Sequence, residues 1–364
     1  MSVVDPGLEA PSAAPVLRWK NWLASTLVVV PACALYSVAP YNRAPLVALH
    51  AVGPWAFTGR DFLFAAAALY VLALALYLLR EAAPAESKSL RFWRLLPHLV
   101  RAGLSAHWPV VSRDDRVALL ATLLKMFYGP LMALSLLGYS AGLVAHGQGL
   151  VAELGTGEAF RALFDRHGFW FLMRLFLVAD VLCFTVGYLV ELPRLDNRIR
   201  SVDPTWLGWA AALLCYPPLN HVSGAILGSQ VSDFPQFDGP TVHLVLNGLL
   251  LALMAGYAST SVALGFKASN LTHRGIVSRG PYALVRHPAY VFKNLAWWLA
   301  SVPMVSVAFT QSLFDGVQAV ASVIGWTMLY VLRALTEEDH LRSVDGDYAA
   351  YAAKVRYRFV PGLV

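Results

Sequence analysis

Eight long apolar runs constrain this chain more than any other feature. They lie at about Trp22 to Ala39, Phe62 to Leu79, Val117 to Ala145, Phe169 to Val190, Trp206 to Leu227, Val242 to Leu264, Tyr290 to Phe309 and Val317 to Leu332. About 20 apolar residues in a helix match the hydrocarbon thickness of a bilayer. Inside that layer only helices and closed barrels satisfy the backbone. The runs therefore predict an all-α polytopic membrane protein of about eight transmembrane helices. Composition agrees: 58% of the 364 residues are hydrophobic and 14% charged, against about 25% charged in ordinary soluble domains. Cys33, Cys183 and Cys215 sit inside apolar stretches with no C-x-x-C spacing and no neighbouring histidine cluster. Neither a disulfide framework nor a metal site is expected.

The net charge of +6 could suggest a nucleic-acid partner, but the basic residues sit where membrane topology wants them. With a cytoplasmic N-terminus, 21 lysines and arginines fall in cytoplasmic segments and 4 on the opposite side. The positive-inside rule then places both termini in the cytoplasm, and no nucleic acid is expected. Arginine outnumbers lysine 22 to 6 in an alanine-rich chain, which points to a bacterial protein of the inner membrane. Leu90 to Arg101 interleaves basic with aromatic and aliphatic residues, the pattern of an amphipathic interfacial helix near 90–108. Pro31, Gly129-Pro130, Pro217-Pro218 and Pro303 predict kinks within spans. Lys125, Arg174 and Asp180 are costly at membrane depth, and an interhelical Lys125–Asp180 pair is expected. Asn220, His221, His243 and Asn247 are expected to make interhelical hydrogen bonds, and the glycine-rich stretch Gly147 to His167 to form a loop with one short helix.

The organisation read from these patterns is an N-terminal membrane region over 1–240 and a chemically denser core with its tail over 241–364. Two polar clusters lie in that core. The first runs from Leu271 to Tyr290 and contains His273, Arg274, a Gly280-Pro281-Tyr282 turn and Arg286-His287-Pro288 entering a span. Proline at a first helical turn costs nothing, because its missing N–H would be unpaired there anyway. Arg286 and His287 would thus stand beside free helix N–H groups, a place that favours anions. The second cluster is Thr336-Glu337-Glu338-Asp339-His340, followed by Tyr348, Tyr351, Lys354, Arg356 and Arg358. Three acids at the C-terminal end of a helix oppose its dipole, so they need another reason to be there, such as a cationic ligand.

Together, G-x-Y-x-x-x-R-H-P-x-Y, then E-E about 45 residues on, then Y-x-x-Y and a basic tail ending in proline, resemble the isoprenylcysteine carboxyl methyltransferases and the related integral membrane phospholipid methyltransferases. The resemblance covers roughly Val262 to Pro361. It implies S-adenosylmethionine bound at the cytoplasmic face, between the last helices and a folded-back helical tail that closes the pocket, with a lipophilic small-molecule acceptor entering from the membrane lipids. Carried over to this chain, it implies His273, Gly280, Pro281, Tyr282, His287, Tyr290, Glu337, Glu338, Tyr348 and Tyr351 around the cofactor. Glu338 is then expected on the cofactor's ammonium and Arg286 in catalysis. In the tail, counting from the tyrosines points to Lys354 and counting from the terminal proline to Arg356 or Arg358; Arg356 is favoured. Val291-Phe292-Lys293-Asn294 departs from the family pattern, and Lys293 becomes a candidate for an anionic head group. A lateral substrate path is expected past Ala289 and Ala296.

Two other readings stand beside this one. Membrane sterol-type reductases, which use NADPH, also carry an arginine-histidine segment before a tyrosine, but their asparagine is replaced here by Pro288-Ala289. A transporter would rest on the proline breaks and intramembrane charges alone.

Overall fold

In the computed structural model, residues 14–52, 55–81, 85–105, 110–155, 157, 159–228 and 231–363 are described. The protein is an all-α polytopic membrane protein, and among these residues seven helices are long and apolar enough to cross a bilayer. Leu69, Leu72, Val245, Leu249, Val302 and Met328 lie exposed along those helices, as side chains that face lipid do. By its internal contacts the chain divides into two compact units, residues 1–131 and 132–364.

In the first unit, α1 (Ala14–Val38) stays helical through Pro31. The short α2 (Arg43–Val47) leads into an antiparallel hairpin of β1 (Leu49–Val52) and β2 (Trp55–Thr58), with Leu49 opposite Thr58. Thr58 then caps α3 (Gly59–Arg80): its hydroxyl accepts from the Asp61 N–H at 3.2 Å while its own N–H donates to the Asp61 carboxylate at 2.8 Å, a reciprocal cap. The amphipathic helix forms as α4 (Lys88–Ser105), which packs on α1 with Leu90, Phe92 and Ala102 buried and Arg94 and Arg101 outward. Residues 106–108 of the expected segment lie outside the described residues. Lys125, near the start of α5 (Arg113–Glu153), sets its Nζ 5.7 Å from the Tyr70 ring centre and 3.4 Å from the hydroxyl.

The second unit carries the end of α5, then α6 (Phe160–Leu163), a π-helical turn over Phe164–Gly168 and α7 (Phe169–Leu189). It continues through β3 (Ser201–Val202), α8 (Trp206–Leu213), α9 (Asn220–Leu227), α10 (Pro240–Leu264), β4 (Thr272–His273), α11 (Pro288–Gln311), α12 (Leu313–Val344) and α13 (Asp347–Lys354). The long helices pack in series: α7 on α10, α10 on α11, α11 on α12, with α8 and α9 against α12. Phe169, Met173, Leu250, Leu251, Ala296 and Ala300 form the core of this stack. Small residues bring the helices close. A Cβ on Gly256 of α10 would come 2.5 Å from the Phe292 ring of α11.

Four expectations change. The fifth apolar run is not one continuous helix but two eight-residue helices, α8 and α9, separated at Pro217-Pro218. Two adjacent prolines remove two N–H donors and crowd the preceding turn; Pro31, Pro130 and Pro303, each alone, stay within continuous helices. The stretch from Gly147 is helical as far as Glu153, because its glycines serve packing: a Cβ on Gly147 would lie 3.3 Å from the Phe171 ring, and one on Gly149 would strike the His167 ring. Asp180 takes its hydrogen bonds from Ser261 and from Tyr257 Oη at 3.3 Å, both within its own unit. Asn247 donates to the Pro235 carbonyl at 3.1 Å, in the loop before its own helix and not across to another helix, the Asn220 side-chain oxygen is buried without a partner, and His221 is exposed.

Candidate functional site

The loop from α10 to α11 is pinned from below by a buried arginine. Arg274, 2% exposed, donates to the carbonyls of Asn197 and Gly187, to Ser269 Oγ at 2.9 Å and to Thr272 Oγ1 at 3.3 Å. Its burial weakens its hold on the proton, and these acceptors offset the lost hydration. Two backbone pairings hold the loop to the chain after α7: Arg200 N to His273 O and Asp203 N to Leu271 O, both 2.8 Å. Between them Leu271 is forced to φ 64°, a left-handed conformation that costs a leucine roughly 1–2 kcal/mol. Tyr188 and Asn270 help to hold that kink, the hydroxyl accepting from Asn270 N at 2.6 Å.

The C-terminal tail closes the other side. After α13 the chain runs back along the start of α11, with Arg286 N donating to Tyr357 O and His287 N to Arg358 O, each at 2.9 Å. Tyr348, Tyr351 and Val355 are buried against Ile276 and Leu341, and Tyr351 Oη donates to the Tyr282 carbonyl at 2.9 Å. Burial pushes the Tyr351 hydroxyl up to about 12 and raises that of Tyr348 as well.

Between loop, tail and helices lies a cavity of about 200 Å³, lined by His273, Tyr282, Arg286, His287, Tyr290, Lys293, Glu337, Tyr348 and Tyr351. Of the residues singled out from sequence, these share one chamber. Gly280 and Pro281 form the turn that carries Tyr282 and do not line it. Ala289 lines the chamber, whereas Ala296 is 1% exposed inside the α10–α11 packing and borders no path. Arg356 is exposed and contributes only its carbonyl, to Arg286 Nη1. Arg358 is the tail arginine that turns inward.

The two glutamates divide their work. Glu338, 1% exposed, accepts from Arg286 Nε at 2.7 Å, His287 Nε2 at 3.2 Å, Arg342 Nη2 at 2.8 Å and Arg358 Nε at 3.1 Å. It is the anchor of an arginine cluster and does not line the chamber. Residue 338 faces away because neighbouring positions on a helix point about 100° apart. Glu337, one position earlier, faces the chamber, accepts from Tyr290 Oη and stands 3.7 Å from His287 Nδ1. Arg286 Nη1 holds the Val355 carbonyl at 2.9 Å as well as that of Arg356. It is thus both a lining group and the bolt of the tail.

His273, half of the β4 pairing, meets Asp345 at 2.7 Å. Burial outweighs the Asp345 carboxylate and, with Arg200 and Lys267 nearby, holds the imidazole below its ordinary value.

Several lining residues escaped the sequence reading: Tyr216, Tyr257, Asn270, Tyr330 and Arg333. Arg333 is the main one. It stands just past an apolar run and looks like a loop charge, yet it is 4% exposed. Its spacing carried the signal: Tyr330, Arg333 and Glu337 are three and four residues apart and so share one helix face.

Fold and site define a polytopic membrane protein with a polar, tyrosine-rich chamber closed by its own C-terminal tail. Residues 151–355, more than half of the chain, match a family described as "Protein of unknown function (DUF1295)", and the chain belongs to that family. No curated protein and no solved structure matches it.

Proposed function

We propose that the protein is a membrane methyltransferase that uses S-adenosylmethionine to methylate a lipophilic acceptor. The observation that carries this reading is Glu337. It is a partly exposed carboxylate turned into a chamber of tyrosines, beside an Arg286-His287 corner and under a tail that folds back to close it. The donor set fits this cofactor. Glu337 would hold the ammonium, Tyr282 and Tyr290 offer faces to a sulfonium or an adenine, and the polar loop from Ser269 to Gly275 offers hydrogen-bonding groups for a ribose. The bound cofactor would supply an electrophilic methyl group to the acceptor's lone pair, with the carbon–sulfur electron pair left on its sulfur.

The chain's own part is chiefly positioning and exclusion of water. Holding two partners in line is worth roughly 7 to 11 kcal/mol in favourable cases. Tyr348 and Tyr351, locked by the tail, shut out water from the side facing away from the helices. A carboxylate acceptor needs no base; an amine acceptor must lose its proton, and His287, within reach of both glutamates, would receive it. The charge split across the spans supports a cytoplasmic site with both termini on that side, and the arginine bias supports a bacterial inner membrane.

A second reading, the NADPH-dependent reductase, draws support from the cations in the chamber, which would suit phosphates. The test of the first is direct: membranes holding the protein are incubated with methyl-labelled cofactor and a lipid extract, and the products are resolved by mass. A lipid heavier by one methyl, absent without the protein, is expected. Reduction by NADPH with no methyl transfer would replace this reading with the second.

A further inference from the structure

Two cations face the chamber with no carboxylate at ion-pairing distance. Arg333 donates from Nη2 to Asn270 Oδ1 at 2.7 Å, while its Nε is buried with no partner. Its guanidinium carbon stands 5.2 Å from the Tyr290 ring centre and 5.1 Å from that of Tyr330. Lys293 flanks the same Tyr330, its Nζ 5.1 Å from that ring and from Trp297, and 5.8 Å from Tyr257. Among the described residues neither cation has an ion pair. The acids around them hold other partners: Glu337 has Tyr290 and His287, Glu338 its arginines, and Asp180, which feels the charge of Lys293 without pairing with it, has Ser261 and Tyr257.

Aromatic faces replace only part of the hydration that a buried cation gives up. Two such cations on one chamber, one with a donor aimed at nothing, make a site whose missing component is an anion. We infer that Lys293 and Arg333 form an oxyanion subsite that takes the carboxylate or phosphate head of a single-chain lipid, the chain lying toward Phe184, Leu264 and Ala289. The inference deepens the methyl-transfer reading by narrowing its acceptor, and rests on that reading only for the step after binding.

The test measures binding without turnover. Purified protein in neutral detergent is titrated with oleate, dodecyl phosphate, oleyl alcohol and dodecylamine, followed by intrinsic tryptophan and tyrosine fluorescence, with S-adenosylmethionine binding measured in parallel by equilibrium dialysis. Oleate or dodecyl phosphate is expected to bind about tenfold or more tightly than the alcohol and the amine, and whichever anion is preferred identifies the head group. Lys293→Gln should abolish that preference and Lys293→Arg restore it. Alcohol binding as tightly as both anions, a comparison that needs no variant, overturns the subsite, as does a Lys293→Gln protein that keeps the preference. Anion selectivity without cofactor binding would support the subsite and strike the methyl-transfer reading alone; cofactor binding without selectivity would do the reverse.

Discussion

Arg286 Nε and Glu338 Oε1 meet at 2.7 Å inside the protein, both side chains almost fully buried, and the same arginine holds the carbonyls of Val355 and Arg356. One ion pair thus ties α11, α12 and the tail together. Breaking a buried pair by removing one partner leaves the other charge uncompensated, at a cost of roughly 3–5 kcal/mol. Glu338→Gln and Arg286→Ala are each expected to lower the unfolding temperature substantially. The double variant should lose less than the sum of the singles. Single variants that melt like the parent would show that the pair is dispensable.

Glu337 should behave differently. It is partly exposed and bonded to a hydroxyl and an imidazole, so Glu337→Gln should leave the melting temperature nearly unchanged. Loss of one charge-assisted hydrogen bond, worth about 1.5–3 kcal/mol, should weaken S-adenosylmethionine by about tenfold or more. Equilibrium dialysis of the two glutamate variants side by side separates the chamber-lining residue from the anchoring one.

Removing residues 355–364 takes away the carbonyls that accept from Arg286 N and His287 N. Hydrogen exchange at those two amides should rise sharply, while amides in the middle of α10 stay protected. Unchanged exchange at residues 286 and 287 would mean that the tail does not close the site.

His273 gives the pH dependence. Its folded form favours the neutral ring, with a proton affinity held below the ordinary value of 6.5. The unfolded chain therefore binds the proton more readily, and stability is expected to fall as pH drops below about 6.5. A series of melting temperatures from pH 7.5 to 5 should show this decline, and His273→Gln should flatten it.

The membrane fold was legible in the sequence because apolar length is a one-dimensional signal, and α4 because its basic and apolar residues alternate at helical spacing. The break at Pro217-Pro218 was visible as a kink but not as the end of a helix, since the apolar run continues on both sides. The members of the chamber from Arg286 to Tyr290 and at Glu337 followed from their motif. The choice between Glu337 and Glu338, and between Arg356 and Arg358, depended on which way each side chain turns, which composition does not encode. Arg333, Tyr216 and Tyr257 come from separate segments brought together only by packing.

The central claim is tested most directly by equilibrium binding of S-adenosylmethionine and NADPH to the purified full-length protein, each with a Glu337→Gln control. The account predicts saturable binding of S-adenosylmethionine that the substitution weakens, and no comparable binding of NADPH. Saturable NADPH binding with none of S-adenosylmethionine would contradict it.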